Sequence, residues 1–366
     1  MTENIQYKWM VFVRCMTYNQ APFIIDAMNG FTMQQTDFPF VCVIVDDAST
    51  DGEQEIIKQY LKDNFDLTDT NVVRKEETTD FVRFFAQHKE NKNCFFVIIL
   101  LKYNHYRKKT KRPYFEEWYK DAKYIALCEG DDYWIDAQKL QKQINYFSNH
   151  EKCSMCFTDF DILYEDGQSA MKSALTTNPK LYPHKYTLEE WIFRTGYVGP
   201  MTWVIKKELL EHRPTIRSVD GTFIRFASFL ANTEVGCLVN DTTAVYRRLQ
   251  ESASHSKSLN KQYKFRNGVK KAQIELAMYY KEKLPNAEVL INKIINKYYH
   301  DRRYILLCAI VGDNVEMTNI MHSRRSMHLN VLFTLSKYKI LRDLFALFYK
   351  LVKHAHFVIY KKNLGL

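Results

Sequence analysis

Three carboxylates lie within four residues in the segment Glu129-Gly130-Asp131-Asp132. Clustered carboxylate oxygens are the ligands that hard divalent cations such as Mg²⁺ and Mn²⁺ prefer, and a glycine among them lets the backbone approach a ligand closely. A cation held by Asp131 and Asp132 would bridge a diphosphate and stabilise the charge that develops as this group leaves. A solvated acidic turn is the alternative, because one short motif alone is weak evidence.

A second acidic motif reads Asp46-Asp47-Ala48-Ser49-Thr50-Asp51-Gly52. Thr50 and Glu53 have the spacing of a capping box at a helix start, which would explain the later residues of the motif. It would not explain Asp46 and Asp47, because two adjacent carboxylates repel each other unless a ligand, a metal or a donor group offsets the repulsion. We expect one of them to accept a hydrogen bond from a nucleobase.

The polar segment Thr17-Tyr18-Asn19-Gln20 is the third candidate, and like the two acidic motifs it follows a short apolar run. Such runs, rich in β-branched and aromatic residues, predict buried strands. They lie at residues 10–15, 40–45, 94–101 and 124–128. Apolar residues at helical spacing predict helices that begin near Pro22 and after Gly52, and another at about 136–147.

This alternation of strand and helix predicts an α/β fold with a mainly parallel sheet flanked by helices. In such sheets, ligands bind outside the carboxyl ends of the strands. Because all three polar motifs follow strands, we expect them to meet at that edge and form one site. Further strands are expected at residues 153–157, 202–205 and 243–246, and further helices at 187–193 and 221–230.

The composition is that of a globular protein, since 46% of the 366 residues are hydrophobic and 26% are charged. The net charge of +10 is concentrated in the C-terminal region. From Lys257 onward, 21 Lys and Arg stand against 7 Asp and Glu, a balance of +14, whereas the preceding residues have a balance of −4. No helix-turn-helix, zinc-finger or RNA-recognition pattern is present, which argues against a nucleic-acid partner.

An anionic membrane surface is the partner that fits this basic region better. The region also carries an apolar helical face between cationic residues. This face comprises Leu341, Leu344, Phe345, Phe348, Leu351 and Val352. The alternative is that the face packs on the protein's own core.

The first seven residues are polar and lack the basic flank and cleavage site of a signal peptide. The longest apolar run, 94–101, is far shorter than the roughly 18 residues of a membrane-spanning helix. We therefore expect a cytoplasmic protein, peripheral on the inner face of the cell membrane if the basic region binds lipid. The 8 cysteines are expected to be reduced and mostly buried. Cys153 and Cys156 have metal-site spacing but lack a second ligand pair.

Taken together, the three motifs resemble those of the family 2 glycosyltransferases with the GT-A fold, of the type that builds bacterial surface polysaccharide. Their order and spacing both fit, Tyr133-Trp134 extends the third motif, and the resemblance covers roughly residues 10–250. It implies a nucleotide-sugar donor, a divalent metal and inversion at the anomeric carbon. A GT-A domain is then expected at 1–256, with a donor half at about 1–135 and an acceptor half at about 136–256. Residues 257–366 would form the basic, mainly helical C-terminal region.

The resemblance also implies roles for single residues. Thr17 and Tyr18 would hold the nucleobase, and Asp47 would bond to it. Asp131 and Asp132 would bind the metal. The donor-binding residues would be Thr17, Tyr18, Asn19, Asp46, Asp47, Glu129 and Asp131, with Glu129 supporting the acidic motif. The catalytic base would be Asp220, which precedes a predicted helix and best matches the family's carboxylate.

Two segments depart from the family pattern. A basic stretch at 103–112 replaces the family's Asn and Gly-rich stretch and its Arg-Asn pair. This stretch is either a solvated loop or a contact for the donor phosphates. Tyr246-Arg247-Arg248 is followed by Leu249 where relatives often have a His, so Arg247 or Arg248 could contact phosphate instead.

The expected function is transfer of a sugar, from a UDP-sugar by family preference, to a glycan or lipid-linked acceptor in cell-surface polysaccharide synthesis. A nucleotidyltransferase that makes a nucleotide-sugar is one alternative, but residues 17–21 offer no Gly-rich triphosphate loop. A non-catalytic glycan-assembly protein is another, and the retained carboxylates argue against it. Walker, Gly-x-Gly-x-x-Gly, Gly-x-Ser-x-Gly and His-Glu-x-x-His patterns are absent, which weighs against kinases, dehydrogenases, serine hydrolases and zincins.

Overall fold

The computed structural model describes residues 7–68, 73–106, 110–212, 214–216, 221–249, 256–323 and 327–350. The chain folds into two compact units. The first comprises Met1–Thr187, Gly196–Arg213 and Arg225–Arg248, and the second comprises Leu188–Thr195, Pro214–Ile224 and Leu249–Leu366. The β-sheet belongs to the first unit, and the second is mainly helical.

A mixed sheet of 11 strands, counted within the described residues, forms the centre of the first unit. Along the chain the strands are β1 (Trp9–Thr17), β2 (Phe40–Asp46), β3 (Arg74–Glu77), β4 (Phe81–Gln87), β5 (Cys94–Leu101), β6 (Ala122–Leu127), β7 (Tyr133–Trp134), β8 (Cys153–Tyr164), β9 (Ser169–Met171), β10 (Val204–Lys206) and β11 (Glu234–Arg248). Their spatial order is β3-β4-β5-β2-β1-β6-β10-β8-β11-β7, and β9 pairs with β8.

Four neighbouring strands, β5, β2, β1 and β6, run parallel to one another. Every residue of β2 is buried, as expected for a continuous apolar strand that is covered on both faces. The register places Thr17, the last residue of β1, beside Asp46, the last residue of β2. The predicted α/β fold, with its parallel strands flanked by helices, is confirmed.

Antiparallel strands extend this parallel core on both sides. β3 and β4 continue the sheet beyond β5, and β10 lies between β6 and β8. The sequence analysis missed β3 because its four residues, RKEE, are all exposed, and charged edge strands lack an apolar run. The strand predicted at 202–205 begins two residues later, since Pro200–Thr202 forms a 3₁₀ turn.

Helices of 4 to 21 residues lie between and after the strands in the described part of the chain. They are α1 (Ile24–Thr32), α2 (Glu53–Asn64), α3 (Glu116–Lys120), α4 (Lys139–Asn149), α5 (Ala174–Thr177), α6 (Leu188–Arg194), α7 (Gly221–Asn232), α8 (Leu259–Tyr279), α9 (Ala287–His300), α10 (Arg302–Val311), α11 (Asn314–Ser323) and α12 (Met327–Ser336). Residues 339–350 are helical as well. Short 3₁₀ helices lie at Arg112–Tyr114, Pro200–Thr202, Lys207–Glu211 and Lys281–Lys283.

The C-terminal part of the second unit is a helical array, as predicted, with polar contacts inside it. Tyr304 on α10 is fully buried, and its hydroxyl donates to Asn267 Oδ1 on α8 over 3.0 Å. Lys270 on α8 forms an ion pair with Glu316 on α11, and both side chains are largely buried. In the part of the chain that the structure describes, no helix is both long enough and apolar enough to cross a membrane.

Candidate active site

The three polar motifs meet at the carboxyl edge of β1, β2 and β6. Asp47 follows β2, and its backbone N–H donates to the carbonyl of Thr17 at the end of β1 over 3.0 Å. Gly130 follows β6, and its N–H donates to the carbonyl of Met16 on β1 over 3.3 Å. The edge predicted from the strand pattern therefore brings together residues that are far apart in the sequence.

Gly130 is the point of closest approach between the first and third motifs. A Cβ atom at this position would lie 2.4 Å from Thr17 Oγ1 and 2.6 Å from Gln20 Oε1. Real side chains do not tolerate such distances, so the acidic motif packs against the first motif only because residue 130 is glycine.

Glu53, the first residue of α2, joins the first two motifs. Its carboxylate accepts hydrogen bonds from the backbone N–H of Gln20 and from Ser49 Oγ, both over 2.9 Å. The Thr17 hydroxyl also contacts it. Burial raises the pKa of Glu53 despite these donors. The sequence analysis had no signal for this role, because the partners lie far from Glu53 in the sequence.

The capping box considered for Thr50 and Glu53 does not form. Helix α2 begins after Gly52, whose φ of +92° is left-handed, and the N–H of Glu53 donates to Asp51 Oδ1 over 3.2 Å. Glu53 turns toward the first motif instead of back to the helix terminus. A left-handed residue at the helix start suits glycine, which lacks a Cβ atom.

Asn19 and Tyr18 have different surroundings although they are adjacent. Asn19 has a φ of +54°, a conformation that Asn tolerates better than most residues. Its backbone N–H donates to Ser49 Oγ over 2.9 Å, and its side-chain oxygen accepts from the N–H of Thr50 over 2.8 Å. Asn19 therefore ties two loops together, whereas the Tyr18 side chain is 47% exposed and available to a ligand.

The Asp46 and Asp47 carboxylates are both buried, and the chain itself supplies donors to them. Asp46 Oδ1 accepts from the N–H of Ser49 over 3.0 Å and from the Gln54 side chain. Asp46 Oδ2 has no hydrogen-bond partner among the described residues. The first aspartate of the motif thus anchors the start of α2 through one of its oxygens.

Asp47 is held on both of its carboxylate oxygens. The backbone N–H of His105 donates to Oδ1 over 2.7 Å, and Lys111 Nζ lies 3.0 Å from Oδ2. The basic stretch at 103–112 therefore reaches the second motif, instead of being only a solvated loop. Residues 107–109 of this stretch lie outside the described residues.

Glu129 lies at the end of β6 and is bound to β1. Arg14 Nη2 donates to one carboxylate oxygen over 3.0 Å, and the backbone N–H of Met16 donates to the other over 2.9 Å. Both oxygens are thus used to fix the acidic motif against the neighbouring strand. This geometry is that of a supporting residue.

Neither Asp131 nor Asp132 forms an ion pair within the described residues, and Arg247, whose charge opposes the rise in their pKa values, pairs with Asp26 instead. Burial raises the pKa of Asp131 to about 6. Burial and repulsion by Asp131 raise the pKa of Asp132 well above its usual range. The pair is therefore short of a compensating cation, and its hard oxygen donors fit a divalent ion.

The described residues contain no cluster of three or more His, Cys, Asp or Glu side chains that could hold a metal. Two adjacent carboxylates suit an ion that takes its remaining ligands from phosphate and water, as Mg²⁺ commonly does. Asp131 and Asp132 fit that kind of site, in which the donor completes the coordination.

Arg247 on β11 fixes the acidic motif from the opposite side. Its backbone N–H donates to Asp132 Oδ1 over 2.8 Å, and its Nη1 donates to the carbonyl of Asp131 over 2.9 Å. Its Nη2 donates to Asp26 Oδ2 on α1 over 2.6 Å. Because these contacts occupy the guanidinium, Arg247 acts here as a clamp on the motif. The sequence analysis had considered it only as a phosphate contact.

Trp134 and Lys139, which follow the acidic motif in the sequence, are buried in the protein interior. Trp134 is buried, and its indole N–H donates to the carbonyl of Met201 over 2.8 Å. Lys139 is fully buried, with its ammonium 4.8 Å from the Trp134 ring centre and bonded to Gln143 Oε1 over 2.5 Å. Burial lowers the pKa of Lys139 to about 7. No sequence motif had singled out this lysine.

A cavity of about 580 Å³ lies on the face of β1 and β6. Four cationic residues line it, namely Arg14, Lys111, Arg112 and Arg225. Its apolar lining includes Phe12, Met16, Phe115, Tyr119, Ile125 and Leu127. Arg14 and Lys111 are the residues that bind Glu129 and Asp47, so the cavity wall is continuous with both acidic motifs. A cavity of this charge suits an anionic ligand.

The expected catalytic base, Asp220, lies outside the described residues, and α7 begins at the next residue. Two other carboxylates were the next to be considered. Glu234 is exposed at the start of β11. Asp241 forms an ion pair with Lys142 over 2.5 Å, so its carboxylate already has a cationic partner.

A family model matches part of the chain. Residues 15–83 match the model described as Glycosyl transferase family 2, and this segment contains the first and second motifs. The resemblance inferred from the motifs is therefore confirmed over this segment.

Relatives from several bacteria match larger parts of the chain. The uncharacterized proteins Rv1520 of Mycobacterium tuberculosis and Mb1547 of Mycobacterium bovis are 32% identical over 151 residues, or 41% of this chain. The chain spans about a third of the length of these relatives, since 35% of each is covered. The putative teichuronic acid biosynthesis glycosyltransferase TuaG of Bacillus subtilis is 24% identical over 253 residues, which are 69% of this chain and 84% of TuaG.

A solved structure shares the fold. The crystal structure of S. aureus TarS 1-349 in complex with UDP-GlcNAc has a TM-score of 0.50 and 15% sequence identity, covering 92% of this chain and 88% of that chain. At this identity the likeness shows the fold alone. The predicted GT-A fold is confirmed.

Proposed function

We propose that this protein is an inverting, metal-dependent hexosyltransferase that uses a nucleotide-sugar, most simply a UDP-sugar. The acceptor is a glycan or a lipid-linked acceptor in the synthesis of cell-surface polysaccharide. The observation that carries the proposal is that all three motifs meet at one sheet edge beside a cationic cavity. The name of TuaG and the UDP-GlcNAc bound to TarS support the substrate class.

The donor nucleotide is proposed to bind across the first two motifs. The exposed ring of Tyr18 offers a surface on which a base can stack. Asp47 offers an acceptor for a base N–H once Lys111 releases it. Lys111 and Arg14 would then face the diphosphate, because both line the cavity beside the motifs. Lys111 thus exchanges one anionic partner for another when the donor binds.

Asp131 and Asp132 are proposed to hold the Mg²⁺ or Mn²⁺ ion together with the donor phosphates. Such an ion, when bound, offsets the negative charge of the departing diphosphate. Glu129 and Arg247 hold the two aspartates in place from β1 and β11. Neither of these supporting residues needs to contact the ion.

Asp220 is proposed to be the general base that removes the proton from the acceptor hydroxyl as this oxygen attacks the anomeric carbon. A sugar hydroxyl is a weak nucleophile near neutral pH, so the reaction requires such a group. Attack from the face opposite the departing nucleotide gives inversion. This assignment rests on the position of Asp220 ahead of α7 and on the family resemblance.

The proposed function is tested by following the release of UDP from UDP-GlcNAc and from a panel of other nucleotide-sugars. We expect release with Mn²⁺ or Mg²⁺ for at least one donor, and loss of this release on adding a chelator. Asp132→Asn should abolish it, whereas Asp166→Asn, a change at an exposed residue of the turn after β8, should not. If no nucleotide-sugar binds or is cleaved by the folded wild-type protein, the proposal is wrong.

A further inference from the structure

The helix at residues 339–350 exposes a strip of large apolar side chains. Ile340 is 76% exposed, Leu344 58%, Leu347 57% and Phe348 62%. Their spacing of four, three and one residues places them on one face of a helix. Exposed apolar side chains scattered singly need no explanation, but a contiguous strip marks an interaction surface.

The other side of the same helix is the side that packs on the protein. Leu341, Phe345 and Tyr349 are half-buried. Arg342 Nη1 on this side donates to the carbonyl of Val311 at the end of α10 over 3.2 Å. Of the apolar face predicted from the sequence, Leu341 and Phe345 thus pack on the protein, as the alternative interpretation expected. Leu344 and Phe348 are not covered by the described residues. Leu351 and Val352 lie outside the described residues.

Charged residues lie on one side of the strip. Lys339 and Lys350 are exposed, lie on this side of the helical projection together with the exposed Asp343, and form no ion pair within the described part of the chain. Lys337 precedes the helix and is also exposed. Residues 257–366 have a balance of +14. Because the net charge of this region is strongly positive, an anionic surface would attract it, whereas a second copy of the region would repel it.

We infer that this strip binds the surface of an anionic lipid bilayer, with the helix lying parallel to the membrane plane. Its apolar strip enters the boundary between headgroups and acyl chains, while its lysines contact anionic headgroups. This inference does not depend on sugar transfer.

The test is co-sedimentation of the full chain with vesicles of equal parts phosphatidylcholine and phosphatidylglycerol, and with vesicles of phosphatidylcholine alone. The wild type should pellet with the anionic vesicles and stay in solution with the neutral ones. Leu344→Glu should lower the partition coefficient at least ~10-fold, because it replaces an apolar anchor with a charge. Lys339→Gln should lower it roughly 5-fold, in line with one cation near a charged surface.

Met278→Glu is the matched control, since Met278 on α8 is 55% exposed and lies outside the strip. It should bind vesicles as the wild type does, and circular dichroism should show equal helix content for all variants. The inference is wrong if Leu344→Glu binds as well as Met278→Glu. It is also wrong if the wild type does not bind lipid but forms dimers, and Leu344→Glu disrupts these dimers. A third contrary result is that the full chain does not bind vesicles whereas a chain that ends at Lys350 does. Residues 351–366, and not lipid, would then be the partner of the strip.

Discussion

Two Asp-Asp pairs follow two parallel strands of the same sheet, and their surroundings are opposite. Asp46 and Asp47 receive donors from Ser49, His105 and Lys111. Their negative charge is offset by the protein itself.

Asp132 is buried and Asp131 is half-buried, neither forms an ion pair within the described residues, and their pKa values are raised by burial and, for Asp132, by repulsion from its neighbour. The same dipeptide thus serves as a preformed polar anchor in one place and as a charge-deficient site in the other. This difference is the reason for proposing a cation at the second pair and not at the first.

The largest effect is expected at a carboxylate outside both pairs. Asp220→Asn should reduce sugar transfer at least ~100-fold, because an amide cannot accept the proton of the acceptor hydroxyl. Melting and UDP binding should stay near wild type, since Asn caps a helix about as well as Asp. Asp166→Asn, at an exposed residue of the turn after β8, is the control. Transfer by Asp220→Asn within a few-fold of the wild-type rate would show that the base lies elsewhere.

Removing charge from the two pairs should change stability in opposite directions. Asp46→Ala should lower the free energy of unfolding by about 1–3 kcal/mol, because the buried donors from Ser49 and Gln54 lose their acceptor. Asp131→Asn should raise it by about 1–2 kcal/mol near neutral pH in metal-free buffer, because it removes a carboxylate whose ionised form burial disfavours. Urea denaturation of both variants measures these differences.

The pH dependence follows from the raised pKa of Asp131. Its ionised form is penalised in the folded state, so the penalty is present above the folded value of about 6 and absent below the usual value of 3.8. The stability of the wild type should therefore approach that of Asp131→Asn as the pH falls from 6 toward 4. A constant difference across this range would contradict the charge deficit at the second pair.

A smaller effect is expected where Lys111 masks Asp47. Lys111→Met should weaken UDP binding roughly 5-fold, the effect of losing one cation near the phosphates. The same variant should bind uridine, which has no phosphate, at least as tightly as the wild type, because Asp47 is no longer paired. Calorimetry with the two ligands separates these effects. Equal weakening of uridine and UDP would mean that Lys111 only supports the fold.

The fold and the location of the site could be predicted because they depend on local patterns. An apolar run such as that of β5 predicts a buried strand from its own residues. Because ligands bind outside the carboxyl ends of parallel strands, the motifs that follow β1, β2 and β6 were then expected at one edge of the sheet. The polar strand β3 could not be predicted, since RKEE forms a strand only through pairing with β4.

The connections inside the site could not be predicted, because they join residues that are distant in the sequence. Glu53 contacts Thr17 across 36 positions, and Arg247 bonds to Asp132 across 115. The spacing of Thr50 and Glu53 suggested a local cap instead. The local spacing failed to predict the contacts of Glu53, because its buried carboxylate accepts hydrogen bonds from Thr17 and Gln20, which lie far away in the sequence.

The central claim is that the second Asp-Asp pair binds the donor through a divalent cation. Calorimetric titration of UDP into the wild type and into Asp131→Asn, each with Mn²⁺ and with a chelator, tests it most directly. Mn²⁺ should tighten UDP binding by the wild type at least ~10-fold, since ligands that share an ion are coupled in affinity. Asp131→Asn should bind UDP equally with and without Mn²⁺. Wild-type binding that is indifferent to Mn²⁺, or a variant that keeps the full gain, would contradict the claim.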